Sequence, residues 1–370
     1  MYILQEIPIY LKYIYKILGI IQFSSRKKNG FSRIAPHLWP VPVNFLFFYL
    51  CVKYNTAVFN LHFMGIFKYV DMLATTSSTI SMVISTTVFY SRSTQLKSLL
   101  AELEQLQIHP TLIFMSPPKH DNWLRKFLIF SLIINMMFFP FMEEPIYMSI
   151  YYSLPGIINF FDHLFLSHIL DHISHKFDSI NRDVKHRINL VGFLKVFADQ
   201  DELNMNIKRV QSLTHLRYDL VDLTVRIYRH FEMTTVAAMV SWFGYVNDTI
   251  YYIIYVVTND INRNNLIFYG NNVVFLMFSF CWLVFILRMF TRTQDKANKT
   301  SIYVHGMWNK YATGGEVNKR LRHLQLICLQ LLITKLRFTA CNLFDLDWTF
   351  CHTLIAAIAT YVVILIQFNI

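Results

Sequence analysis

Three histidines, His168, His172 and His175, follow one another at i, i+4 and i+7, with Asp171 beside them. On a helix that spacing sets three rings along one face. Imidazoles so placed can hold zinc or carry protons in acyl transfer. The competing reading is a helix leaving a bilayer with its histidines at the polar rim. The sequence favours this second reading, because it contains no HExxH, P-loop or GxGxxG pattern. A different pattern closes the chain. Thr353, Ala357, Thr360, Ile364 and Gln367 recur at spacings of 4, 3, 4 and 3, which draws one stripe along a helix. Small and hydroxyl side chains let helices approach closely and leave room for water. Such a stripe suits the wall of an ion pore. Ile364 and Phe368 would form a barrier that closes by dewetting, and Gln367 would offer amide dipoles to ions. Bulkier Ile355, Ile358, Val362 and Leu365 form the opposite face. The same small residues also pack helices in membrane proteins that have no pore.

The elements that must position these residues are read from apolar length. The chain has 370 residues, of which 54% are hydrophobic and only 15% charged. A water-soluble domain needs roughly a quarter of its residues charged, so a typical soluble enzyme and a disordered chain are both excluded. Five cysteines without a CxxC pair give neither a disulfide framework nor a cysteine zinc site. A helix crosses a bilayer in about 20 residues. Apolar stretches of that order run over 40–61, 65–90, 127–142, 146–170, 233–258, 266–290 and 348–368. The fold class expected is an all-α membrane protein with seven transmembrane helices. Residues 1–22 are apolar but broken by Glu6, Pro8, Lys12 and Lys16, which suits an amphipathic helix lying on the membrane surface.

Alternating seven spans puts residues 1–39, 91–126, 171–232 and 288–347 on one side of the membrane. Those segments hold 6, 5, 10 and 10 of the 34 Lys and Arg residues. Basic loops face the cytoplasm, so the N-terminus is inside and the C-terminus outside. The net charge of +11 then reports loops beside an anionic leaflet, with no call for nucleic acid as a partner. A G-protein-coupled receptor has the opposite orientation, and DRY and NPxxY patterns are missing. Leu321, Leu324, Ile327, Leu331 and Ile333 keep a helical period, as helices continuing below the membrane would.

Polar residues within apolar spans are costly and mark function or pairing. On the outer side the candidates for a small-ligand site are Asp71, Tyr152, Asn159, Asn247, Tyr251 and Asn271. Aromatics with a few polar groups suit a small organic molecule. The alternative is tyrosines at the headgroup level and satisfied core amides. Glu143 and Glu144 lie in an outer loop that is either solvated or attracts cations.

The last 33 residues carry a family resemblance. Thr360 and Tyr361, then Val362 to Ile366, then Gln367 and Phe368 spell TYhhhhhQF, and Phe338-Thr339-Ala340-Cys341-Asn342-Leu343-Phe344 precedes it. This resembles the C-terminal signature of insect gustatory receptors, except that Asn342 stands where glycine is usual. Asn tolerates the left-handed conformation best after glycine, so the departure is mild. The resemblance implies a homotetrameric ligand-gated cation channel, with or without other receptor subunits, in the plasma membrane of a sensory neuron dendrite. It implies that Gln367 and Phe368 form the outer constriction and that spans two to six hold the tastant. It also makes a helix over about 319–338 the tetramer's anchor. The domain plan is then 1–38 as a cytoplasmic segment with its surface helix, and 39–290 as a six-helix ligand-binding region extended by 171–232. Residues 291–347 form the cytoplasmic anchor, and 348–370 the pore-lining helix.

The partners implied are a small-molecule tastant, membrane lipid and permeant cations, with no cofactor, no metal and no catalysis. Sugar receptors of this family usually carry an acid after the Thr-Tyr pair, where this chain has Val362. That points to a bitter or other non-sugar compound. A fructose-type receptor, a G-protein-coupled chemoreceptor and a membrane enzyme built on the histidine cluster are the alternatives.

Overall fold

The computed structural model describes residues 7, 9–17, 40–60, 67–106, 129, 146–197, 200–258, 266–312 and 319–369. All but one residue of the third apolar stretch, Glu143 and Glu144, and most of the first 38 residues lie outside them. The described chain is all-α apart from one short hairpin. Its helices are α1 (Ile9–Ile17), α2 (Pro40–Phe59), α3 (Phe67–Gln105), α4 (Ile146–Phe197), α5 (Gln200–Tyr228), α6 (Glu232–Thr258), α7 (Leu266–Ala312), α8 (Lys319–Ile333) and α9 (Trp348–Asn369). Strands β1 (Thr339–Ala340) and β2 (Phe344–Asp345) separate α8 from α9.

Three helices far outrun a bilayer. α3 has 39 residues, α4 has 52 and α7 has 47, or about 58, 78 and 70 Å at about 1.5 Å per residue. The apolar core of a membrane is about 30 Å, so each has a long extension beyond its apolar part, as the amphipathic periodicity predicts. Among the described residues, α3, α7 and α9 contain the stretches long and apolar enough to cross a membrane.

α3 packs along α6 and α4 packs along α7. Both pairings come from side chains read off one helical stripe. On α4, Leu166, Ile169, Leu170, Ile173, Phe177, Ile180 and Val184 are fully buried. Between α3 and α6 the approach is close. A Cβ placed on Gly244 would stand 3.2 Å from the Ala74 backbone and 3.2 Å from Ser77 Oγ. The small residue is what lets the two backbones meet there. α1 is amphipathic as expected: Tyr10 and Tyr13 are exposed, while Leu11 and Tyr15 are buried. The Tyr15 ring meets Phe161 and Phe165 of α4 at 6.2 and 5.4 Å.

Below the apolar part, one buried arginine organises the approach to α9. Arg217 of α5 is wholly enclosed. Its Nε donates to the Ala297 carbonyl at 3.2 Å and its Nη1 to Thr334 Oγ1 at 3.0 Å. A longer contact of 3.5 Å joins its Nη2 to Asn298 Oδ1. Asn298 in turn accepts from the Leu336 backbone N–H at 2.9 Å and donates to the Leu336 carbonyl at 3.1 Å. These bonds capture the backbone that would otherwise continue the helix. α8 therefore ends at Ile333, where the helical period of apolar residues also ends and sooner than the 338 that the family resemblance implies. Beside this clamp, the rings of Tyr228, Phe290 and Phe338 meet pairwise at 5.0 to 5.4 Å. Tyr228 Oη donates to the Thr339 carbonyl at 3.1 Å.

The chain then turns back on itself. Thr339 pairs with Asp345 and Ala340 with Phe344, and the Leu343 N–H donates to the Ala340 carbonyl at 2.9 Å. Cys341 and Asn342, the two residues between, have φ of 50° and 58°. Both lie in the left-handed region, as the two central residues of a mirror-image (type I′) turn from Ala340 to Leu343 require. Asn342 thus takes the conformation that its place in the signature implies. Asp347 caps α9, accepting from the Phe350 N–H at 3.0 Å.

Candidate functional site

Two helices bring three of the six candidate ligand residues together. Asp71 lies near the start of α3, and Asn247 and Tyr251 lie one turn apart on α6. All three are buried, at 3%, 1% and 1% exposure. α2 adds polar groups to the same place. Tyr54 Oη donates to Asp71 Oδ2 at 2.7 Å. Asn55 donates to Thr76 Oγ1 at 3.0 Å and accepts from Thr75 Oγ1 at 3.1 Å. A second carboxyl, Asp248, faces Asp71 closely enough for the two to interact electrostatically. Tyr245 interacts with both. The cluster is not fully satisfied. Asp248 Oδ1 and Asn247 Oδ1 are buried with no hydrogen-bond partner among the described residues. In an apolar surrounding each such atom costs free energy.

This cluster touches α9 directly. Tyr251 forms a small apolar core with Val70 of α3 and Leu365 of α9, with Tyr252 and Tyr361 packed against it. Tyr361 also meets the Phe243 ring at 6.2 Å. α9 is held along one stripe, where Cys351, Ile358 and Leu365 are buried. Thr353, Ala357, Thr360, Ile364 and Gln367 are all exposed. The bulky face drawn from the sequence is thus split: Ile358 and Leu365 are buried and Val362 half-buried, but Ile355 is exposed at 46%. The hydroxyls on this helix turn back onto it, with Thr353 and Thr360 donating to the Thr349 and Ala356 carbonyls at 3.1 and 2.9 Å. The side chains of Phe368, Tyr152 and Asn271 lie outside the described residues.

Asn159 sits elsewhere, on α4, and its Oδ1 accepts from Ser81 Oγ of α3 at 3.1 Å. One turn on, His163 Nδ1 meets the Asn159 carbonyl at 2.7 Å, and its ring stands edge-on to Trp282 at 5.2 Å. Asp162 beside it is 1% exposed, and neither carboxyl oxygen has a hydrogen-bond partner among the described residues. An acid inside an apolar span is a visible signal, and both Asp162 and Asp248 carry it in the sequence. Tyr54 carried none, because its role comes from a contact between helices.

The histidine cluster does not converge on a metal. Among the described residues no three His, Cys, Asp or Glu side chains could hold one. Its neighbours are ties between helices. Asp171 pairs with Arg292 of α7 at 3.7 Å, and Lys176 donates to the Leu106 carbonyl at 2.7 Å. Burial, with the charges of Lys176 and His175 beside it and Glu104 opposing, pulls His172 down to about 4. Its ring is therefore neutral at ordinary pH.

Comparison with known proteins supplies the rest. The fold is similar to the insect olfactory receptor OR5 from Machilis hrabei in complex with eugenol. That likeness has a TM-score of 0.63 at 14% identity, over 97% of this chain and 98% of that one. The same receptor solved without eugenol in its description matches with a TM-score of 0.60, also at 14% identity, over 98% and 99%. A putative gustatory receptor 28b from Drosophila melanogaster is 34% identical over 87 residues, which span 24% of this chain but only 18% of that protein. Finally, the family model described as 7tm chemosensory receptor matches residues 10–370. The chain belongs to the 7tm chemosensory receptor family, a family of receptors and not of enzymes.

Proposed function

We propose that this chain is a gustatory receptor that acts as a tastant-gated, non-selective cation channel. Four copies would surround a central pore lined by α9, alone or with other receptor subunits. The observation that carries the reading is the condition of α9. Only 17% of its apolar stretch is buried, against 44% for those of α3 and α7. The small and hydroxyl stripe lies within its uncovered part, which suits contact with other copies and with water. Its covered stripe ends at Leu365, packed on Val70 and Tyr251, which adjoin the candidate ligand residues. A ligand that moves α3 against α6 would therefore move the part of α9 that carries Ile364 and Gln367.

In this reading seven helices span the plasma membrane of a sensory neuron dendrite. The N-terminus is cytoplasmic, and α8 and the lower part of α7 form the anchor region. The gustatory assignment is supported by the likeness to the putative Drosophila gustatory receptor and by the TYhhhhhQF ending. A small organic ligand is supported by the olfactory relative in complex with eugenol. Val362 after the Thr-Tyr pair favours a bitter or other non-sugar compound. The test is whole-cell current from cells expressing this chain, with G-protein signalling blocked. A ligand-evoked cation current whose selectivity changes in Gln367→Ala supports the channel. A response abolished by the block rejects it.

A further inference from the structure

Asp71 and Asp248 lie on the facing sides of α3 and α6, between the Ala74–Gly244 approach and the Val70–Tyr251 contact, and are 3% and 8% exposed. A carboxyl held in such a surrounding is costly to bury unless donors or a cation meet it. One of them has a visible unmet need: Asp248 Oδ1 has no hydrogen-bond partner among the described residues. On the preceding residue Asn247 Oδ1, 1% exposed, has none either. Both orphaned atoms are acceptors, so what they require is a donor. The Tyr54 hydroxyl donates to Asp71 Oδ2. Tyr54, Tyr245 and Tyr251 put aromatic rings beside the pair, and ring faces attract cations.

We propose that the Asp71–Asp248 pair is the seat of a protonated organic amine, bound between α3 and α6 among these tyrosines. A primary ammonium carries three N–H donors. It would answer Asp248 Oδ1 and Asn247 Oδ1 on one turn of α6 and replace the Tyr54 hydroxyl on Asp71. The apolar body of the ligand would lie against Val70 and Tyr251. The inference rests on the reading of this region as the ligand site, and names the ligand class. It excludes carboxylic acids, which would add a third negative charge, and gives no advantage to neutral alcohols.

The test uses the full chain in lipid nanodiscs, with ligand binding read as a shift in thermal unfolding. The probes are phenethylamine, phenylbutylamine and phenylhexylamine, each beside its matching alcohol and carboxylic acid. At least one amine is expected to raise the unfolding temperature while its alcohol and acid do not. Asp248→Asn is expected to weaken that amine at least tenfold, about 1.4 kcal/mol, and Asp248→Glu to restore part of the loss. If Asp248→Asn does not fold, Asp71→Asn carries the same test. The proposal is overturned if no amine binds, if alcohol or acid binds equally well, or if the folded Asn variant binds amine like the parent. Amine binding without any current would overturn the channel reading and leave this inference standing.

Discussion

The clamp at Arg217 and the pair at Asp71 and Asp248 are both polar islands in an apolar protein, and they have been finished differently. At the clamp, a fully buried guanidinium finds a carbonyl, a hydroxyl and an amide oxygen, and Asn298 closes the ring with both backbone groups of Leu336. Burial draws Arg217 down only to about 10, so it stays charged at neutral pH. At the carboxyl pair, Asp248 Oδ1 and Asn247 Oδ1 are left without donors. A satisfied buried network fixes one structure. An unsatisfied one costs stability and is kept where something else completes it. Saturation therefore separates the scaffold that aims α9 from the site expected to act on it.

The largest effect should come from breaking the satisfied island. Arg217→Ala strips three contacts and leaves Thr334 and the Ala297 carbonyl without their buried donor. A loss of about 3 kcal/mol is expected, seen as a lower unfolding temperature in detergent. Stability close to the parent would mean that the clamp does not hold the approach to α9. A smaller loss should follow at the hairpin that the clamp feeds. Asn342→Val forces a β-branched residue into a left-handed conformation at a cost of about 1 to 2 kcal/mol, whereas Asn342→Gly should unfold like the parent. Equal behaviour of the two variants would show that the turn does not demand that conformation. The smallest effect, and of opposite sign, is expected at the unsatisfied island. Asp248→Asn keeps the shape and removes an ionisable group from an apolar surrounding, so ligand-free protein should gain up to about 1 kcal/mol. A clear loss there would place Asp248 with the scaffold and erase the contrast.

Local features were legible in the sequence where local physics decides them. Apolar length marked α2, α6 and α9 to within a residue or two, because burying a backbone in lipid requires an uninterrupted helix. Asn342 was legible because few residues accept a positive φ. The stripe of Thr353, Ala357, Thr360, Ile364 and Gln367 was legible from spacing, and the helix does present it uncovered. Asp248 and Asp162 were visible as acids in apolar spans, yet only packing distinguished them from solvated neighbours. The grouping of Asp71 with Asn247 and Tyr251, and the separation of Asn159 from them, could not be read locally. Asp71 lies 176 positions before Asn247 along the chain, and their meeting depends on how α3 lies against α6.

The sequence by itself determined an all-helical membrane chain, its apolar spans, the left-handed turn before α9 and the small-residue stripe along it. Each follows from hydrophobic length, side-chain volume or backbone sterics within a few residues. The tertiary structure alone decided where α8 stops, which acids face one another, and that Leu365 rests on Val70 and Tyr251. Those outcomes depend on contacts between distant segments, where the need to satisfy a buried polar group or to close an apolar gap overrides local preference.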